Sequence, residues 1–167
     1  IEMADAVQQR KLLRDLIVEH KLMRMDAGLG VDAAAQKVEE YFELFANNAI
    51  EPSHAVAKAQ QWLTDVEQND GSLDALAHAA ALERASRFAD VARLAELYDT
   101  AARSRGWYGF DDLIMHPVRM LRTSRATAIL VQDEFRHYVV DEFPDVNAAQ
   151  IEFMRLLAPP FEEHRNQ

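Results

Sequence analysis

The 167-residue chain contains no cysteine and only five glycines and five prolines. No apolar run approaches the ~20 residues that a membrane-spanning helix needs. The missing cysteines exclude a disulfide-stapled secreted module and remove thiolate ligands from any zinc site. The scarcity of Gly and Pro excludes collagen-like and linker-like sequence and favours long helices. Cations are the scarcer charge: 18 Lys and Arg stand against 28 Asp and Glu, a net charge of −10. Such an acid excess is a poor basis for a non-specific nucleic-acid coat, whose affinity comes from neutralising phosphates. Ile1-Glu2-Met3-Ala4-Asp5 is acidic and has no apolar stretch behind it, so no signal peptide is expected, and the absence of Met at position 1 suggests an internal segment or a trimmed tag. A reducing, cytoplasmic setting fits the lack of cysteine.

What is present is enough to fold. Hydrophobic residues make up 49% of the chain and charged residues 28%, outside the disordered range. A chain of this size buries roughly 68–70% of its unfolded surface, which suits one domain, or one domain plus part of another. The charge is uneven: residues 31–70 hold two cations and eight anions, whereas 71–136 balance at nine each.

Hydrophobic spacing predicts helices over 4–25 (Val7, Leu12, Leu13, Leu16, Ile17, Met23) and over Val31–Asn48 (Val38, Tyr41, Phe42, Phe45), separated by a turn at Gly28 and Gly30. Ser53 is the expected N-cap of a helix running to about Gln68. Asn69-Asp70-Gly71 reads as a turn and Ser72 as the cap of an Ala-rich helix reaching about Arg105, with a break expected near Ser86. Gly106 ends it, and Trp107-Tyr108-Gly109 forms an aromatic connector. Further helices are expected over Phe110–Leu121, with Pro117 as a kink or early-turn residue, over Ser124–Phe135 and over Ala148–Leu157, stopped by Pro159-Pro160. Between the last two the period changes. His137-Tyr138-Val139-Val140 is aromatic and β-branched, the signature of a short buried strand. The fold class is therefore mainly α, with one strand near the end. A lone strand cannot satisfy its own backbone groups, so this pattern suggests a piece of a larger α/β protein.

The strand-like run leads straight into Asp141-Glu142. Hydrophobic residues followed by Asp-Glu make a Walker B pattern, in which a strand fixes carboxylates at its C-terminal edge, where α/β folds bind ligands. The first carboxylate holds Mg²⁺ and the second polarises the water that attacks a γ-phosphate. Asp133-Glu134-Phe135 repeats the tripeptide eight residues earlier but lies in a helical pattern, so position separates the two copies.

The stretch Phe135-Arg136-His137-Tyr138-Val139-Val140-Asp141-Glu142-Phe143-Pro144-Asp145-Val146-Asn147, with Gln150 and Arg155-Leu156-Leu157-Ala158, resembles motif II of the UvrD/Rep/PcrA-type superfamily 1A DNA helicases. Gly109-Phe110-Asp111-Asp112-Leu113-Ile114 is similar to their short Asp-Phe-Asp-Asp-Leu motif. Gln8–Lys21 resembles the first helix of their helical insertion, and Leu94–Gly106 the helix leading back to the motor. The resemblance implies an ATP-dependent 3′-to-5′ translocase acting on DNA at a single strand and duplex junction, in repair or recombination. It implies that residues 1–106 are the helical 1B insertion and 107–167 the returning part of the RecA-like domain 1A. It further implies Mg²⁺ at Asp141, ATP against Asp141 and Glu142, and Glu142 as the catalytic base, with Asp145 and Gln150 bracing the turn into the next helix. The rest of the motor is an implied partner, as is a nuclease; a membrane is not. This chain has Pro144 where the family usually has Gln, and Gly109 where it has Asp. No Gly-x-x-x-x-Gly-Lys-Ser/Thr phosphate cradle is present, so these 167 residues alone are expected to be inactive as an ATPase, with neither ATP nor Mg²⁺ bound.

Other residues have plainer readings. Asp111 and Asp112 suit a helix N-terminus, where anions are stabilised by ~0.3–1 kcal/mol. Trp107, Tyr108 and Phe110 suit core packing more than base stacking. Arg84, Arg87, Arg93, Arg103 and Arg105 suit a mixed solvated face, and the six histidines show no zinc spacing. A different class is a non-catalytic helical interaction module with a fortuitous acid pair; one continuous helix over 133–145 would favour it.

Overall fold

The structure, a computed structural model, describes residues 2–22, 30–68, 74–135 and 137–159. Among these are seven α-helices: α1 (Ala6–His20), α2 (Val31–Asn47), α3 (Pro52–Gln68), α4 (Ala75–Ser104), α5 (Asp112–Thr123), α6 (Arg125–Glu134) and α7 (Ala148–Leu157). Two short strands, β1 (Glu2–Met3) and β2 (Trp107–Tyr108), pair in parallel. The chain divides into two compact units, one of Ile1–Phe45 with Ile50–Gly109 and the other of Ala46–Ala49 with Phe110–Gln167.

The first unit is built on α4. Eleven of its 30 residues are alanine, the best helix former, and Ala81, Ala85, Val91, Ala92, Leu94 and Ala95 are buried. The break expected at Ser86 does not occur. A serine inside a helix costs only about 0.5 kcal/mol relative to alanine. Burial of Ala85 beside it, and the Glu83–Arg87 pair that spans it, outweigh that cost. Leu12, Leu13, Leu16 and Ile17 of α1, Ala34, Ala35, Val38 and Phe45 of α2 and Ala55 and Ala59 of α3 complete the core. Each fully buried Leu, Ile or Val adds about 1.5–3 kcal/mol. Phe45 meets Phe88 edge-on at 6.1 Å, and Phe42 meets Tyr98 at 5.4 Å. Arg10 grips Glu39 through two nitrogens at 2.7 and 2.9 Å, which sets α1 against α2. Hydrogen bonding to Glu39, then its charge, raises the Arg10 guanidinium above its ordinary value.

Helix starts differ in detail from the sequence reading. Ser53 is not a cap: Pro52 is the first helical residue, with its φ preset and no N–H to satisfy, and the Glu51 carbonyl accepts from Ala55 N at 3.0 Å. The cap of α4 is Asp74, whose Oδ1 accepts from Ala77 N at 2.8 Å. The expected turns at Gly28 and at Asn69-Asp70-Gly71, and the cap at Ser72, lie outside the described residues. Lys21 closes α1 in the left-handed region (φ 51°), where its N–H reaches the Ile17 and Val18 carbonyls. Gly106, at φ 67°, ends α4 as expected.

The pairing of β1 with β2 was not legible from the sequence. Glu2 N donates to Gly106 O and Ala4 N to Tyr108 O, each at 3.0 Å. Trp107 packs against the core, with the Arg105 guanidinium 5.7 Å from its ring centroid.

In the second unit α5 packs on α7 and α6, around buried Met115, Val118, Ala149 and Ala49. Ala49 ends α2 at φ 52°: Ile50 N returns to Phe45 O (2.9 Å) and Ala49 N to Ala46 O (3.1 Å), a Schellman closure without glycine. Pro117 lies within α5. Phe110 is 79% exposed, against the expectation that it is core.

Candidate functional site

Ser124 caps α6 by accepting from Thr127 N at 3.2 Å, and the helix stops at Glu134. Asp133-Glu134 therefore finishes a helix, whereas Asp141-Glu142 lies outside any helix. The first copy lies in a helix as expected, the second does not, and 133–145 is not one helix.

The buried strand expected over 137–140 is not formed. Tyr138, Val139 and Val140 are 39%, 96% and 42% exposed, and residues 137–140 carry no regular secondary structure. An apolar run becomes a buried strand only when neighbouring strands take up its N–H and C=O groups. Among the described residues the only ladder is β1–β2, and it does not include this segment. One local ring contact is made: the Phe135 and Tyr138 rings lie 6.2 Å apart and tilted by 56°.

The acid pair sits on a tight turn. Both carboxylates are exposed. Glu142 N donates to Asp141 Oδ1 at 2.9 Å, so the first carboxylate is oriented by the backbone of the second residue. Glu142 itself adopts φ 49° and ψ 41°, the left-handed region that non-glycine residues enter at a cost of about 1–2 kcal/mol. A 3₁₀ turn over Phe143–Asp145 follows, with Pro144 at its centre. Asp145 N donates to Glu142 O at 3.0 Å and Val146 N to Phe143 O at 3.2 Å. Pro144 suits this turn, since its fixed φ matches it and it has no N–H to place.

The turn runs into α7 through a reciprocal cap. Asn147 Oδ1 accepts from Gln150 N at 2.9 Å, and Gln150 Oε1 accepts from Asn147 N at 3.0 Å. Gln150 thus braces the helix start, while Asp145 takes part through its backbone N–H. The Asn-x-x-Gln spacing was readable as a capping box. A longer-range bond was not: Asn147 Nδ2 donates to Asn47 Oδ1 at 2.8 Å across 100 residues of sequence. Nearby, Gln132 Nε2 donates to Leu156 O at 2.7 Å and ties α6 to α7.

Chemically, the site presents two adjacent, solvent-facing carboxylates. Mg²⁺ takes one or two carboxylates plus water and substrate phosphates, so Asp141 has the right donor type. Among the described residues no group of three or more acids or histidines is arranged to enclose a metal by itself. In the upstream motif, Asp111 stands at the N-cap of α5 without a side-chain cap bond. Asp112 lies in the first turn, 3.6 Å from His116. The arginines of α4 form a mixed face: Arg87 pairs with Glu83, Arg93 with Glu96 and Arg103 with Asp99. No described helix is long and apolar enough to cross a membrane.

Residues 3–164 match the family model of the UvrD/REP helicase N-terminal domain. Over 98 residues, 59% of this chain, the sequence is 31% identical to the ATP-dependent DNA helicase Rep of Salmonella typhimurium and 30% identical to that of Escherichia coli. Over 66 residues, 40% of this chain and 10% of the relative, it is 33% identical to Rep of Buchnera aphidicola. The aligned stretches make up 14% and 15% of the Salmonella and Escherichia proteins, so the chain spans about one seventh of their length. No solved structure matches the chain significantly.

Proposed function

This chain belongs to the UvrD/Rep helicase family, and from that premise we propose that it is the part of an ATP-dependent 3′-to-5′ DNA helicase that carries the water-activating carboxylate. In this reading residues 1–106 are the helical 1B insertion and 107–167 the returning part of the RecA-like domain 1A. The division into compact units near Gly109 supports that assignment. The observation that carries the reading is Asp141-Glu142 on a capped turn outside any helix, within a family match that covers nearly the whole chain.

Asp141 is the residue that would hold Mg²⁺, with its Oδ1 already oriented by the Glu142 N–H. The bound ion supplies charge neutralisation at the phosphates. Glu142 orients the attacking water and takes its proton, which leaves an incipient hydroxide aimed at the γ-phosphate. The phosphate cradle is contributed from outside these 167 residues, so the chain alone binds ATP weakly and does not turn it over. The parent works in the cytoplasm on single-stranded and forked DNA in repair or recombination, together with the rest of its motor.

The test is DNA-stimulated ATPase activity of the full-length helicase. Glu142→Gln keeps ATP binding and lowers kcat by about 10²–10⁴-fold, the usual contribution of a positioned base. A kcat within twofold of wild type would remove Glu142 from the mechanism. Mg²⁺-dependent turnover by the 167-residue chain, above its Glu142→Gln control, would overturn the claim that it is inactive alone.

A further inference from the structure

We propose that Asn47, at the end of α2 and remote in sequence from the acid pair, is a positioning residue for the Asp141-Glu142 turn and acts through the cap residue Asn147. The inference rests on the ATPase reading above and adds to it a residue outside the motif.

The hydrogen-bond directions are fixed. The backbone N–H of Gln150 can only donate, so it must face the oxygen of Asn147. The Asn147 amide NH₂ is thereby turned toward Asn47, and Asn47 must answer with its oxygen, at 2.8 Å. Both side chains are half-buried, so a lost partner is not simply replaced by bulk water. Asn147 is the last residue before α7 and directly follows Val146, which closes the turn after Glu142. Backbone bonds from Asp145 N to Glu142 O and from Val146 N to Phe143 O transmit its placement back to Glu142. A left-handed glutamate is held only by such surroundings.

Asn47 is itself held firmly. The residues that follow it end in Ala49, buried among Met115, Val118 and Ala149. Arg122 donates to the Ala49 carbonyl at 3.3 Å while pairing with Glu152 of α7 at 3.2 Å. Two contacts thus pin the terminal turn of α2 to α7, one through the Asn47–Asn147 bond and one through Arg122.

The required group at position 47 is an acceptor, and that makes the inference testable in the full-length helicase. Asn47→Ala should lower kcat for ATP about tenfold with KM within twofold, since an ångström of misplacement costs up to ~10²-fold. Asn47→Asp keeps the acceptor and should restore kcat to within twofold of wild type. Asn47→Asp/Asn147→Asp sets two carboxylates face to face without a donor and should lose what Asn47→Asp retains. Melting temperatures are recorded for each variant. If Asn47→Ala melts below the assay temperature, the Asn47→Asp and double variants read the same bond. A folded Asn47→Ala with wild-type kcat overturns the inference, as does an Asn47→Asp as impaired as Asn47→Ala. If Glu142→Gln also leaves kcat unchanged, the ATPase reading itself fails and this inference with it. If Glu142→Gln is inactive while Asn47→Ala is silent, the inference alone fails.

Discussion

Glu142 carries a specific prediction because its backbone and its side chain pull in opposite directions. Its φ of 49° and ψ of 41° lie in the left-handed region, and its side chain is exposed. Glycine enters this region without the clash between Cβ and the following carbonyl oxygen, a relief of about 1–2 kcal/mol. Glycine also loses more entropy on folding, by roughly 0.5–1 kcal/mol. The difference leaves Glu142→Gly more stable by about 0.5–1 kcal/mol. For a unit of this size that corresponds to a melting temperature higher by roughly 2–8 °C. Glu142→Gln keeps the Cβ and the strain, so its melting temperature should stay at the wild-type value. The assay is thermal unfolding of the 167-residue chain followed by circular dichroism, with all three proteins in one buffer. In the full-length helicase Glu142→Gly should be as inactive as Glu142→Gln. A stabilised but inactive glycine variant would show that the turn accepts strain at the position where a carboxylate is needed. If Glu142→Gly melts at or below the Glu142→Gln temperature, the left-handed strain is not a cost and the reasoning is wrong.

Two further predictions concern the first unit. Leu94 is fully buried and Leu76, on the same helix, is 82% exposed; Leu94→Ala should cost about 2–5 kcal/mol and Leu76→Ala less than about 0.5, measured by urea unfolding, and equal costs would refute the packing of α4. Lys21→Gly, at φ 51° in the closure of α1, should stabilise the unit by up to ~1 kcal/mol in the same experiment, while Lys21→Ala should not.

Much of the local structure follows from composition and spacing. Scarce Gly and Pro and an Ala-rich run give α4, the 3.6-residue spacing of Leu12, Leu13, Leu16 and Ile17 gives the buried face of α1, and Asn147-x-x-Gln150 gives the cap of α7. That Asp133-Glu134 ends a helix while Asp141-Glu142 lies between two helices was also legible, from the helical spacing on either side. Cap identity was read less well: a serine signal at 53 yields to proline at 52, because a preset φ starts a helix without any side-chain bond.

The sequence by itself determined helix content, the placement of the carboxylates between two helices and membership in the helicase family. Those depend on local periodicity and short motifs, whose interactions span a few residues. Tertiary structure alone decided that Glu2–Met3 pairs with Trp107–Tyr108, that the end of α2 joins the second unit, and that Asn47 meets Asn147. It also decided that 137–140 stays exposed. Strand pairing, burial and side-chain hydrogen bonds need a partner distant in sequence, and an apolar run states only that it would accept one.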